Sequence, residues 1–281
     1  MRMRHIYVRI DNVTKRARTT IQATPQDFLE STRCRQLRFA SQDDFLNRCC
    51  QEQWIQEMSA VLRAWLCRDR TIFSIGSGLG EHEILLFRHG YDIIASDFVE
   101  GSCEEAVRLF KGFRAVTFDI LNPVHARQYD AVLLLAGMDQ YFDDNALVRI
   151  FDNARGLIKR GGRLIFAQRH HDTICTRLLD FVLCPLLTGT LNFKYALEGR
   201  PERWVRQVHA YARSRREIVA LAQQAGYQSH RIGFAGFGVE WTRLMIDLWL
   251  PTLYSCLHKV DRRFRCSNNV TMFEFVPEVV A

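Results

Sequence analysis

Residues 71–87 read TIFSIGSGLGEHEILLF: a short apolar run, three glycines at alternate positions (Gly76, Gly78 and Gly80), then a segment of helical character. A strand that enters a glycine loop and then a helix turns backbone N–H groups and a helix N-terminus towards a ligand. The stretch therefore predicts both a local fold and a nucleotide site. The same rhythm continues for about 100 residues. TIFSI (71–75), DIIASD (92–97), AVTFDI (115–120), DAVLLLA (130–136) and RLIFAQ (163–168) are apolar runs of strand length, with helices expected around 81–89, 100–111 and 144–159. Strands spaced by single helices imply right-handed crossovers and a parallel sheet covered on both faces. Gly161 and Gly162, after LIKR, predict a helix end and a tight turn into the next strand.

The flanks are less regular. The first 40 residues are basic and weakly periodic, and no structure is assigned to them. From Ser41 a capping box with Asp44 opens an amphipathic helix, with Phe45, Cys49, Ile55, Met58, Leu62, Trp65 and Leu66 at mostly helical spacing. After residue 171 an apolar, proline-interrupted segment (173–193) and a polar loop precede a helix, SRREIVALAQQAG, with Ser214 as N-cap and Gly226 as C′. A strand YQSHRIGF, an apolar helical segment (240–258) and a closing strand NVTMFEFV (269–276) complete the chain. The expected organisation is a basic segment and helical cap at 1–69, then one domain at 70–281 with inserts at about 172–212 and 239–266.

Composition narrows the partners. The formal charge is +7, but Lys and Arg lie in short clusters, which is no specification for nucleic acid. Nine cysteines without CxxC spacing predict reduced thiols and no metal site. The N-terminus lacks an apolar signal core. The apolar stretches 178–193 and 244–257 are too short to span a bilayer, and each contains an Asp and a Pro. A cytoplasmic protein without a transmembrane segment is the expectation. Nothing in the sequence specifies an oligomeric state.

The loop chemistry excludes two nucleotide classes. No Lys follows the glycines, so the phosphate-cradling GxxxxGK[ST] pattern is absent. The dinucleotide fingerprint needs its third glycine at position 81, which is Glu81, and an acid at a helix N-terminus repels pyrophosphate while favouring a cation. GxGxG followed by Glu resembles the glycine motif of the class I S-adenosylmethionine-dependent methyltransferases, whose ligand carries a sulfonium and no phosphate. Ser74 stands where that motif usually has an acid. Further along, Asp97 in ASDF lies 21 residues after Gly76, and FDIL supplies Asp119 and Ile120. QYDAVLLLAGMDQYFDD and ARGLIKRGGRLIFAQ resemble the family's fourth motif and the helix, turn and fifth strand after it.

The resemblance covers about 71–168 and implies an α/β fold: a Rossmann-like, seven-stranded, mostly parallel sheet with helices on both faces, an N-terminal helical cap and helical inserts. HAYARSRREIVALAQQAGY would precede the sixth strand and NVTMFEFVP would be the antiparallel seventh. The implied cofactor is S-adenosyl-L-methionine, with Ile75, Gly76, Ser77, Gly78 and Gly80 in the loop. Asp97 would accept from the ribose hydroxyls, with Phe98 beside it. Asp119 would meet the adenine amine while Ile120 packs the ring, and Ala136 and Tyr141 complete the set.

In open α/β sheets ligands bind beyond the C-terminal strand ends, so the methyl acceptor should meet residues after the fourth and fifth strands. His170 or His171 is the expected base, with Asp139 or Tyr141 as orienter, because imidazole titrates in the useful range. Each histidine could equally be a surface or capping residue. AGMDQYF lacks the (D/N)PP(Y/F) tetrad of amino-methylating enzymes. The expected acceptor is a small molecule, apolar or anionic, walled by the apolar inserts, whose flanks carry several arginines. A helical cap, a dimer surface and a peripheral membrane contact are other uses of those inserts. An RNA or protein methyltransferase, a nicotinamide-dependent oxidoreductase and a non-catalytic interaction module are the competing functions.

Overall fold

The computed structural model describes residues 4–11, 39–51, 53–68, 70–123, 128–135, 142–169, 190, 193, 196–197, 205–235 and 270–278. The chain divides into two compact units. One comprises Met1–Gln36, His170–Ser214 and Phe237–Asn269, and the other Leu37–Arg169, Arg215–Gly236 and Val270–Ala281.

In the first unit, β1 (Arg4–Asp11) pairs in parallel with a strand at Val205–Ala212, from Arg4 opposite Val205 to Asp11 opposite Ala212. Neither strand was expected. Neither RHIYVRID nor VRQVHAYA keeps a period of two, since polar residues adjoin in each and Ile6-Tyr7-Val8 and Ala210-Tyr211-Ala212 run together, so no local pattern marks them as strands.

The second unit begins with α1 (Gln42–Gln51) and α2 (Gln53–Trp65). The Ser41 hydroxyl accepts the Asp44 amide at 3.2 Å while Asp44 Oδ2 accepts the Ala40 amide at 3.2 Å, a reciprocal capping box that starts α1. Then come β2 (Thr71–Ile75), α3 (Glu81–Arg88), β3 (Asp92–Asp97), α4 (Glu104–Leu109), β4 (Arg114–Thr117), β5 (Tyr129–Leu134), α5 (Asp144–Gly156) and β6 (Ile158–Arg169). With Val205–Ala212 as β7, the chain returns to this unit through α6 (Arg215–Gln224), β8 (Tyr227–Ala235) and β9 (Val270–Pro277).

The seven strands lie in the order β4-β3-β2-β5-β6-β9-β8. The pairs from β4 to β6 are parallel, and β9 runs antiparallel to both its neighbours. This is the α/β sheet expected from the sequence, with the order reversing between β2 and β5.

Period-two side chains divide into two buried layers. Ile72, Ala131, Leu133, Ile165 and Met272 join Phe45, Met58, Leu62, Ile84 and Ala106 under α1 to α4. Phe73, Val132, Leu134, Phe166 and Phe273 join Leu147, Phe151, Ile218 and Tyr227 under α5 and α6. The helical cap is thus part of the core of one face.

One local expectation fails. α5 ends at Gly156, where the Leu157 amide closes on the Ala154 carbonyl at 3.0 Å. β6 starts at Ile158, opposite Tyr129, and the register shifts between Tyr129 and Ala131. Gly161, at φ 77°, therefore sits in an irregular strand rather than in a turn. Pairing with β5 captures LIKR, which helical periodicity alone had claimed.

Candidate functional site

The glycine loop leaves the C-terminal end of β2 with Gly76, Gly78 and Gly80 at φ of 72°, 56° and 78°. All three are left-handed, which glycine adopts at little cost. A Cβ at Gly78 would meet nothing within 4 Å, so only its backbone demands glycine there and the space beside it is open. The loop is tied down by Ser77, whose amide donates to the Ser96 carbonyl at 2.9 Å and whose carbonyl accepts the Gly80 amide at 2.9 Å.

Asp97, at the end of β3, joins this loop. Its Oδ2 accepts the Gly78 amide at 2.8 Å and its Oδ1 accepts the Val99 amide at 2.9 Å. The residue is 3% exposed, and burial raises its carboxyl above the usual range against the pull of the Val99 and Gly78 amides and the Ser102 hydroxyl. A carboxylate offers about four lone-pair sites, and backbone amides take one on each oxygen. Each oxygen keeps acceptor capacity, the requirement for binding a vicinal diol. Phe98, the next residue, is 53% exposed, an unusual state for a large ring beside a loop.

The third contributor follows β4. The Phe118 amide donates to the Asp97 carbonyl at 2.9 Å, holding the two strand ends together. Asp119 builds its own turn: Oδ1 accepts the Leu121 amide at 2.9 Å and Oδ2 accepts from Asn122 Nδ2 at 2.8 Å. Ile120 is buried, and its carbonyl accepts from Asn153 Nδ2 at 2.7 Å. The sequence-predicted Ile75, Gly76, Ser77, Gly78, Gly80, Asp97, Phe98, Asp119 and Ile120 thus all follow, or end, adjacent parallel strands at one edge of the sheet. Ala136, Asp139, Tyr141, His170 and His171 lie outside the described residues.

Two residues at the site were missed. Glu83, in the first turn of α3, is 1% exposed, and its Oε1 accepts the Ser74 hydroxyl at 2.6 Å. Burial raises its carboxyl to about 7; the hydroxyls of Ser74 and Ser77 and its own amide oppose that rise, and the Glu81 charge adds to it. Cys103 is buried against the loop, with Sγ 3.3 Å from the Gly78 carbonyl, and burial with the charges of Glu83 and Asp97 pushes its thiol up. A signal for Glu83 existed. Ser74 shares a strand face with Ile72, so a hydroxyl among apolar neighbours beneath α3 called for a polar partner on that helix.

No protein-family model matches the sequence, and no curated protein matches it. Solved structures do. Magnesium protoporphyrin IX methyltransferase from Synechocystis, with bound S-adenosylhomocysteine, matches over 91% of this chain and 96% of its own, at TM-score 0.52 and 16% identity. The 1,6-didemethyltoxoflavin-N1-methyltransferase of Burkholderia thailandensis, with 1,6-didemethyltoxoflavin and S-adenosylhomocysteine bound, matches over 92% of each chain at 0.52 and 14%. A SAM-dependent methyltransferase from Methanosarcina mazei matches over 79% of this chain and 98% of its own at 0.53 and 14%. At such identities the likeness establishes the fold: the sheet unit has the Rossmann-like fold of the class I methyltransferases.

Proposed function

We propose that the chain binds S-adenosyl-L-methionine and transfers its methyl group to an oxygen or nitrogen of a small molecule. The observation that carries this reading is the link between Asp97 and the glycine loop: a buried carboxylate at the end of β3, with acceptor capacity on both oxygens, hydrogen-bonded to the amide of a left-handed Gly78. These residues fit the cofactor. The open space at Gly78 admits a nucleoside, Asp97 suits a ribose diol, and the acids Glu81, Glu83 and Asp97 suit a cation better than a pyrophosphate.

When bound, the cofactor supplies a methyl carbon already activated by the sulfonium, so the chain's work is orientation more than chemistry. Gly76 to Gly80 shape the cradle. Asp97 fixes the ribose, and Asp119 with Ile120 takes the adenine edge and face. Phe98, Ala136 and Tyr141 cover the nucleoside. His170 or His171 removes the acceptor's proton where the nucleophile is protonated, with Asp139 or Tyr141 as orienter. The small-molecule reading is supported by the solved proteins of this fold named for magnesium protoporphyrin IX and 1,6-didemethyltoxoflavin.

The test is methyl transfer from isotopically labelled S-adenosyl-L-methionine into a pooled metabolite extract, separated by mass. Label in a small product, reduced in His170→Ala or His171→Ala at saturating cofactor, is the expected result. Label confined to RNA or protein would contradict the acceptor class.

A further inference from the structure

The buried carboxyl of Glu83 has one oxygen with a job and one without. Oε1 takes the Ser74 hydroxyl at 2.6 Å; Oε2 has no hydrogen-bond partner among the described residues, although the side chain is 99% removed from solvent. A buried carboxylate oxygen in that state costs free energy unless a countercharge lies near it; Glu274 Oε2 is also without a hydrogen-bond partner among the described residues, but Arg231 Nε stands 3.4 Å from it. Among the described residues no basic side chain acts on Glu83, and the N-terminus of α3 offers only its partial positive charge. The charges that act on Glu83 and on neighbouring Cys103 are those of Glu81, Glu83 and Asp97, all carboxylates. The helix N-terminus offers no side-chain cap either, since α3 opens on Gly80. Its position matters as well. Ser74 precedes the first loop glycine by two residues and accepts the Ser96 hydroxyl on its carbonyl at 2.8 Å, so whatever Glu83 does to Ser74 is felt at the start of the cradle.

We infer that Glu83 is a positioning residue for the cationic α-ammonium of the amino-acid tail of the bound cofactor: a carboxylate carried on α3 supplies the negative charge that β2, ending in Ser74, lacks. This rests on the proposed use of S-adenosyl-L-methionine. Glu83 acts through the loop and through its field, and takes no part in methyl transfer. The arrangement implies a division of labour between two acids. Asp97 reads the ribose, common to every adenosine ligand, whereas Glu83 reads the tail. Ionised Glu83 favours the tail, so tail-bearing ligands should bind better as pH rises through about 7. Ser74 and Ser77 face Glu83 from the strand and loop, Glu81 lies on its own helix, and Cys103 and Asp97 belong to the same cluster. His82, beside it, has its pKa lowered to about 3 by burial and stays neutral across that range.

Two ligands separate the roles: S-adenosylhomocysteine, with the tail, and 5′-methylthioadenosine, without it. Calorimetric titration of the full chain with both is expected to show that Glu83→Gln weakens S-adenosylhomocysteine at least tenfold and 5′-methylthioadenosine less than twofold. The exchange Ser74→Asp with Glu83→Ser should recover most of the lost affinity by returning the charge to the strand. Equal losses for both ligands would make Glu83 a structural prop and overturn the inference, as would no loss for either. If Glu83→Gln does not fold, the wild type decides. Between pH 5.5 and 7.5 its affinity for S-adenosylhomocysteine should rise while that for 5′-methylthioadenosine, which shares the Asp97 contact, rises less; parallel curves would overturn the inference. A wild type that binds neither ligand would refute the cofactor assignment itself, and the role of Glu83 with it.

Discussion

Two buried glutamates, one on a strand of the sheet and one on a helix that covers it, show how a neighbouring countercharge separates otherwise similar acids. Glu274 on β9 and Glu83 on α3 are each 1% exposed. Glu274 is enclosed by two arginines: Arg163 on β6 bonds its Oε1, and Arg231 Nε on β8 lies 3.4 Å from its Oε2. Arg231 is itself held over the Trp65 ring at 5.5 Å. Among the described residues, Glu83 has only the Ser74 hydroxyl on Oε1, the pull of the Ser77 hydroxyl and of its own amide, and the repulsion of Glu81. The first is a structural ion pair that joins three strands, although the Oε2 of Glu274, like that of Glu83, has no hydrogen-bond partner among the described residues. The second fits a charge that arrives with a ligand. Burial alone therefore does not tell the two acids apart; the neighbouring countercharge does.

The contrast can be broken from either side. Arg163→Ala leaves the Glu274 carboxylate buried with, among the described residues, only the half-exposed Arg231 beside it, and should cost about 3 kcal/mol or more of unfolding free energy in urea titrations. Glu83→Gln should act in the opposite direction. A carboxyl held near 7 in the folded protein, against its ordinary 4.5, favours the fold only while protonated. That stability is fully present below about 4.5 and is lost as pH rises through about 7. The variant, with no proton to lose, should be more stable than the wild type by up to about 3 kcal/mol at pH 8 and nearly equal to it at pH 4. A flat difference across pH would show that Glu83 is not the buried titrating group. Gly78→Ala sharpens the same comparison at the loop, because its Cβ meets nothing and only the φ of 56° opposes it. It should lower stability by about 1 to 2 kcal/mol, seen as a small drop in the thermal midpoint.

The regions differ in how far the sequence revealed them. Strands β2, β3, β5 and β9 were legible because each is a run of mostly apolar residues bounded by Gly, Asp or polar turns, and strands buried on both faces have that composition. Asp97 and Asp119 were legible for a different reason: each stands where the resemblance to the methyltransferase family implies an acid, Asp97 at the end of β3 and Asp119 two residues beyond β4. Glu83 was not, because on an amphipathic helix a Glu near the N-terminus is the expected surface residue, and only the inward-facing Ser74 makes it otherwise. The β6 boundary and the β1–β7 pair were hidden by pairing between residues far apart in sequence, which no local period reports.

The central claim is that Asp97 and the glycine loop form an adenosyl site. Titration calorimetry with S-adenosylhomocysteine tests it most directly, on the wild type and on Asp97→Ala with unfolding curves to confirm that both are folded. Saturable one-to-one binding by the wild type, weakened on the order of 100-fold in Asp97→Ala as two hydrogen bonds to a charged acceptor are lost, is the predicted result. Absence of binding to the wild type at millimolar ligand, or equal affinity in the variant, would contradict it.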